Sequence, residues 1–271
     1  MAFLETVIAE KRRDLAAKQA SISFDAMRER ARGAEAPRDF LSAVARRGAV
    51  IAELKARTPT IASFANAHSL LDLAATYQAN GAAAISIVTD PARFGTSYHD
   101  IARVRDVTSL PIIAKDFVID AYQIVEARAA HADAVLLIVR LLEPDALQAL
   151  LELARELGME ALVETHSQPE IAAALAAGAR IVGINNRDLD TMTVSLDTTR
   201  RLAHLVPDDV VLVAESGIAT RDDIADLVRL GARAFLVGGS LLGSPEPGAL
   251  LRDMVEAARL QPAAGVKRIP R

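Results

Sequence analysis

The feature that most constrains this 271-residue chain is a regular alternation of two hydrophobic periods. From about residue 48 onward, short apolar runs rich in β-branched residues recur: AVIAEL (49–54), AAISIVTD (83–90), PIIAKDF (111–117), AVLLIV (134–139), EALVET (160–165), RIVGINN (180–186), VVLVAES (210–216) and AFLVGGS (234–240). These eight runs are continuous rather than alternating apolar and polar, the pattern of parallel strands covered on both faces. Between them lie segments with helical spacing, among them 68–82, 121–132, 143–158, 168–179 and 220–232.

The helix ends carry their own signals. Thr220 with Asp223, and Ser167 with Glu170, read as N-caps with an acid three residues on. Gly81, Gly158, Gly178 and Gly231 follow helical segments and predict left-handed caps. Gly81, Gly178 and Gly231 each sit in a Gly-Ala pair just before the next strand, as a repeating βα unit requires. No GxGxxG turn follows the first strand, so the pattern predicts a closed (β/α)8 TIM barrel over an open dinucleotide-binding sheet. Residues 1–260 are expected to form one domain, with 1–48 an N-terminal helical extension and 49–260 the barrel. In the extension, 3–19 and 37–46 read as helices that cap the barrel bottom or fold over its mouth. The Pro- and Arg-containing tail, 261–271, is expected to be disordered.

Composition limits the chemistry. Hydrophobic residues make up 51% of the chain but aromatics only 4%, with no Trp, so Ala, Leu, Val and Ile must build the core. The net charge of −4 gives no global basic field for nucleic acid, and any anion must be held locally. The chain has no Cys, which excludes disulfides, thiolate zinc sites and cysteine nucleophiles and fits a reducing, cytoplasmic setting. The five His are scattered without an HxxxH pair, so no metal site is expected. The charged N-terminus is unlike a signal peptide, and no apolar run reaches the roughly 18 residues of a membrane span. The expected partner is a small phosphorylated molecule, and the expected assembly a monomer or weak homo-oligomer.

In such a barrel the active site lies at the C-terminal ends of the strands. There the runs end in Glu53 and Lys55, Lys115 and Asp116, Glu164, Asn185–Asn186–Arg187, Glu215–Ser216–Gly217 and Gly238–Gly239–Ser240. Asp116 reads equally as a cap for the following helix, and Thr89-Asp90-Pro91 as turn chemistry. A charged cluster in a low-dielectric mouth costs stability unless it is paired or used. The glycine turns after strands seven and eight sit where barrels hold phosphate on backbone N–H groups.

At these residues the chain resembles the indole-3-glycerol phosphate synthase family. The stretches that carry the likeness are VIAELKARTP (50–59), FGTSYHDI (94–101), LPIIAKDFVIDAYQIVEARAAHADAVLLIV (110–139), LGMEALVETH (157–166), GINNRDL (183–189), VAESGI (213–218) and LVGGSLL (236–242). The resemblance implies catalytic roles for Lys115, Glu164, Glu53, Lys55, Asn185, Glu215 and Ser216. It implies substrate or phosphate binding by Thr58, Arg187, Gly217, Gly238, Gly239 and Ser240, and ring-walling by Phe94 and Phe117. The sequence departs from the family pattern at Thr58-Pro59-Thr60-Ile61-Ala62, which keeps two hydroxyls but lacks the usual glycine.

The implied reaction converts 1-(2-carboxyphenylamino)-1-deoxyribulose 5-phosphate to indole-3-glycerol phosphate, CO2 and water. No cofactor is needed, because the electrons of the departing carboxylate return to an iminium within the substrate. Lys115 is expected to be the acid of ring closure, its pKa lowered by a cationic, partly desolvated pocket. Glu164 and Glu53 are candidates for the proton transfers of dehydration, with Lys55 holding the carboxylate or donating a proton. Two other readings stay open: a divergent paralogue that binds a similar ligand with altered or lost catalysis, and phosphoribosylanthranilate isomerase, which the missing cysteine disfavours.

Overall fold

A computed structural model describes residues 3–57 and 69–260. The segment 58–68, which includes Thr58 and the atypical loop, and the tail 261–271 lie outside the described residues. Three helices come first: α1 (Phe3–Ser21), α2 (Phe24–Gly33) and α3 (Phe40–Ala45). The barrel follows as β1 (Ala49–Leu54), α4 (Leu70–Ala79), β2 (Ala84–Val88), α5 (Pro91–Phe94), α6 (Tyr98–Arg105), β3 (Ile112–Lys115), α7 (Ala121–Ala129), β4 (Ala134–Ile138) and α8 (Pro144–Glu156). It is completed by β5 (Glu160–Thr165), α9 (Gln168–Ala176), β6 (Ile181–Asn185), α10 (Asp197–Leu202), β7 (Val211–Glu215), α11 (Arg221–Arg229), β8 (Ala234–Val237), α12 (Gly239–Gly243) and α13 (Pro247–Leu260). The eight strands are parallel and close in sequence order, with β8 pairing back onto β1.

The strands form where the apolar runs predict them, with β1 and β5 matching their runs end to end and the others shorter. The runs at 83–90, 111–117 and 234–240 overshoot because their ends turn out of the sheet into loops. Helix starts follow the capping chemistry. Thr220 and Asp223 form a complete capping box on α11. Ser167 caps α9 through the Glu170 amide, while Glu170 itself reaches back to the His166 amide. Asp116 does not cap α7; that role falls to Asp120, whose side chain accepts from the Tyr122 amide. The four predicted cap glycines all have positive φ, between 77° and 98°, a region that a Cβ makes costly.

Side chains on one strand face alternate with period two, and this sets the layering inside the barrel. Ile51, Ile113, Leu162, Val213 and Leu236 belong to one buried apolar cluster. Two residues further along, the same inward face carries Glu53, Lys115, Glu164, Glu215 and Gly238. The polar layer therefore stands on an apolar floor at the C-terminal end.

The extension uses both of the placements open to it. Phe40 and Val44 of α3 join the interior cluster with Ala49 and Ile51 and close the N-terminal end. Helix α1 runs past the mouth, where Lys11 pairs with Asp90 after β2 and with Asp116 after β3, at 3.7 and 2.5 Å. Helix α2, which the sequence pattern does not single out, packs its Met27 and Ala31 with Tyr122 and Val125 of α7. Among the described residues, no helix is long and apolar enough to cross a membrane.

Candidate active site

The mouth is built around one lysine. Lys115, the last residue of β3, places Nζ 3.1 Å from Glu53 Oε2 and 3.8 Å from Glu215 Oε2. Glu53 sits on β1 and its other oxygen accepts from Lys55. Lys55 also stands over the Phe94 ring, 5.9 Å from its centroid. Glu53, Glu164 and Glu215 are 4%, 2% and 0% exposed, so their charges interact with little screening by water.

The electrostatics differ from the sequence expectation. The pocket around Lys115 is anionic, and its pKa is not lowered. Burial pulls the ammonium down, but Glu53, Glu215 and Glu164 outweigh burial and raise it above its ordinary value. Burial likewise pushes the Glu53 carboxyl up, yet Lys115 and Lys55 win and hold it at about 2. Glu215 goes the other way. Burial and the neighbouring Glu164 carboxylate push it up to about 8 against the pull of Lys115. Both Glu215 side-chain oxygens are buried without a hydrogen-bond partner among the described residues. Glu215 thus favours its protonated form, while Glu53 stays ionised.

Two glycines make room for these carboxylates. A Cβ on Gly183 would lie 2.0 Å from Glu215 Oε1, and one on Gly238 would lie 2.3 Å from Glu53 Oε1. The resemblance places Gly238 in the phosphate cradle. The sequence reading gives Gly183 no role, although a glycine inside a strand is itself a signal of close approach.

The loops after β6, β7 and β8 are tied to one another. Ser216 and Gly217 both take left-handed φ, 64° and 76°. The Ser240 hydroxyl donates to Ile218 O at 2.8 Å, joining the turn after β7 to the start of α12. Gly239 opens that short helix, with Gly238 at its cap position. Asn186 clamps this region from behind: Nδ2 donates to Glu215 O and Ser216 O at 3.0 and 3.1 Å, and Oδ1 accepts from the Thr199 amide and hydroxyl. Asn186 stands at the strand end in the sequence, where the resemblance gives the role to its neighbour Asn185. Asn185 is buried, and its Oδ1 accepts from the Arg187 amide at 2.9 Å. The Arg187 guanidinium donates to Met192 O within its own loop, and Phe117 packs half-buried against the interior cluster. The structure therefore gathers Glu53, Lys55, Lys115, Glu164, Glu215 and Phe94 at one centre and holds the glycine turns beside it. Arg187 is engaged in the hairpin above β6.

The chain matches the family described as indole-3-glycerol phosphate synthase over residues 4–254. An indole-3-glycerol phosphate synthase from Nocardioides sp. is 46% identical, with 94% of this chain and 98% of the relative covered. Relatives of the same name from Roseiflexus castenholzii and Kineococcus radiotolerans are 44% and 43% identical, and cover 93% and 95% of this chain and 97% and 96% of their own lengths. Among solved structures, a thiamine phosphate pyrophosphorylase from Pyrococcus furiosus superposes with a TM-score of 0.60 at 15% identity, covering 81% of this chain and 98% of its own, a likeness of fold alone.

Proposed function

This chain belongs to the indole-3-glycerol phosphate synthase family, and on that premise we propose how its barrel mouth carries out the family's decarboxylative ring closure. The substrate is the phosphorylated arylamino-ribulose named above. The observation that carries the reading is the position of Lys115, a buried ammonium held between Glu53 and Glu215 at 3.1 and 3.8 Å.

Ring closure joins the carboxylate-bearing aromatic carbon to the substrate ketone carbon, and the ketone oxygen must take a proton as the bond forms. Lys115 is the donor. Its surrounding carboxylates keep it charged, so every enzyme molecule enters the step with the acid loaded. Delivery of that proton leaves a neutral amine among carboxylates, which favours its prompt reprotonation. The substrate's own carboxylate, brought beside Lys55 and Lys115, competes with Glu53 for their charge. Loss of CO2 then restores the aromatic ring. Dehydration takes one proton from the amine side and gives one to the departing hydroxyl. Glu164 is the acceptor, and Glu215, whose protonated form is favoured by burial and by the Glu164 carboxylate, is placed to donate. Glu53 is too acidic to donate a proton at neutral pH, so it acts as a fixed anion that orients both lysines. The backbone turns at Ser216–Gly217 and Gly238–Gly239, with Ser240, anchor the substrate phosphate. Arg187 meets substrate only after leaving Met192 O. The electron flow calls for no cofactor, and the missing cysteine fits a cytoplasmic setting.

The test is to add substrate to the purified protein and follow indole fluorescence and CO2. Lys115→Met removes the acid and is expected to lower kcat by about 10²- to 10⁴-fold with the circular dichroism spectrum unchanged. Turnover that survives this change ends the assignment of Lys115 as the acid.

A further inference from the structure

One further buried titratable side chain, His166, touches the reacting cluster. His166 follows β5 directly, and its side chain is 5% exposed. Its two ring nitrogens face two different carboxylates. Nδ1 lies 3.2 Å from Glu170 Oε2, and the His166 backbone N–H donates to that same oxygen at 2.8 Å. Nε2 lies 3.4 Å from Glu164 Oε1. Both of these last atoms are buried, and neither has a hydrogen-bond partner among the described residues. Glu170 is fixed from the other side by the Ser167 hydroxyl at 3.1 Å and by Arg140 at 3.5 Å. Arg140, in the turn after β4, also meets Asp190 of the loop after β6 at 3.2 Å. A line of charged groups therefore leads from exposed Asp190 through Arg140, Glu170 and His166 to a carboxyl group inside the barrel.

The hydrogen bookkeeping of this line is restrictive. Glu170 carries a carboxylate held below its usual range, since burial is outweighed by the hydrogen bonds from His166 and by Arg140. A carboxylate only accepts, so Nδ1 must carry a hydrogen. Nε2 then faces Glu164 in one of two ways: as N–H toward a carboxylate, or as a lone pair toward a carboxylic acid. A lone pair facing a carboxylate is repulsive in a buried site. In either allowed arrangement one proton lies between Nε2 and Glu164 Oε1. We propose that His166 is a positioning residue for the reaction: anchored by Glu170, it shares one proton with Glu164 through Nε2 and holds that carboxyl oriented to accept the substrate's proton. The inference rests on the reading of Glu164 as the acceptor.

The charged groups in this line around His166 are Glu164 from β5 and Glu170 from α9, with Arg140 behind Glu170 and Asp190 behind Arg140. Loss of the imidazole takes the Nε2 proton away from the buried Glu164 Oε1, which makes the Glu164 carboxylate harder to form. The acidic limb of kcat must then move to higher pH. The experiment measures kcat and KM across pH for the full chain and for His166→Phe, His166→Gln, Glu170→Gln and Glu164→Gln. His166→Phe is expected to lower kcat by about 10- to 100-fold, the worth of one hydrogen bond to a charged group, with KM within about twofold and the acidic limb raised. His166→Gln puts an amide N–H near the position of Nε2 and is expected to recover most of kcat. Should His166→Phe not fold, Glu170→Gln frees the imidazole from its anchor and is expected to raise the acidic limb in the same direction. A pH profile that superimposes on the parent, a rise in KM at constant kcat, or a Gln variant no better than Phe overturns the proposal. Glu164→Gln separates the two ideas. If it retains full turnover, Glu164 is not the acceptor and the role of His166 falls with it. If it abolishes turnover while the His166 variants behave as the parent, only His166 is wrongly assigned.

Discussion

Replacement of Gly183 by Ala tests the architecture of the mouth with a single methyl group. Gly183 lies mid-strand on β6, paired with Glu164 on one side and Val213 on the other, and its φ is not positive, so alanine brings no backbone strain. The whole effect must come from space. The new Cβ lies 2.0 Å from Glu215 Oε1 and 3.2 Å from both Glu215 Cδ and Leu162 Cδ1. Ordinary contact begins at roughly 3.5 Å, so the Glu215 carboxyl must retreat by more than about 1 Å. It is fully buried, with Glu164 and Lys115 as its charged neighbours, so any retreat disturbs the Lys115–Glu215 approach of 3.8 Å. A displacement of that size at a reacting group lowers kcat by about 100-fold, and the overpacking destabilises the fold by about 1–3 kcal/mol. The assay is a double-mutant cycle by urea denaturation and fluorescence turnover. In the Glu215→Ala background the obstacle is gone, and Gly183→Ala should cost less than about 0.5 kcal/mol. Equal costs in both backgrounds would refute the claim that Gly183 exists to seat Glu215.

Two further outcomes follow from the same geometry. Glu215 has its folded pKa raised to about 8 from the ordinary 4.5, so the unfolded chain releases this proton first and stability falls as pH rises between those values. The parent should therefore lose up to a few kcal/mol relative to Glu215→Gln between pH 5 and 8 in urea titrations; parallel stabilities would show that Glu215 is ionised in the fold. Glu53 does not interfere, because its depressed pKa of about 2 gives stability that is lost only as pH falls below about 4.5. Asn186→Ala removes the clamp behind β6 and β7 and leaves the Thr199 amide without its acceptor. It should cost about 2–4 kcal/mol, seen as a lowered Tm. A Tm within a degree of the parent would mean that the turn after β7 holds itself.

Much of the barrel is legible in the chain because its signals are local. Runs 49–54 and 160–165 coincide with β1 and β5, and the Thr220–Asp223 box and the glycine stops mark helix ends through contacts within a few residues. The extension was only half legible. Helix α2 is short and polar on average, with Met27 and Ala31 as its buried residues, so few apolar positions mark it in the sequence. The site shows the same division. The residue types at the strand ends were readable, and period two brings them to one face. The sign of the pocket was not, because the carboxylates that surround Lys115 come from β1, β5 and β7. Asn186 and His166 stood beside residues already given roles, and only the three-dimensional partners tell the neighbours apart.

Helix α1 reaches its dock through Lys11, whose partner Asp116 is made more than a hundred residues later. During synthesis, this helix must therefore wait for the third strand before it can make that contact. Contacts of such separation form slowly and late. The rim of the mouth is then among the last parts to assemble, and a nascent chain acquires its scaffold before it acquires its cover.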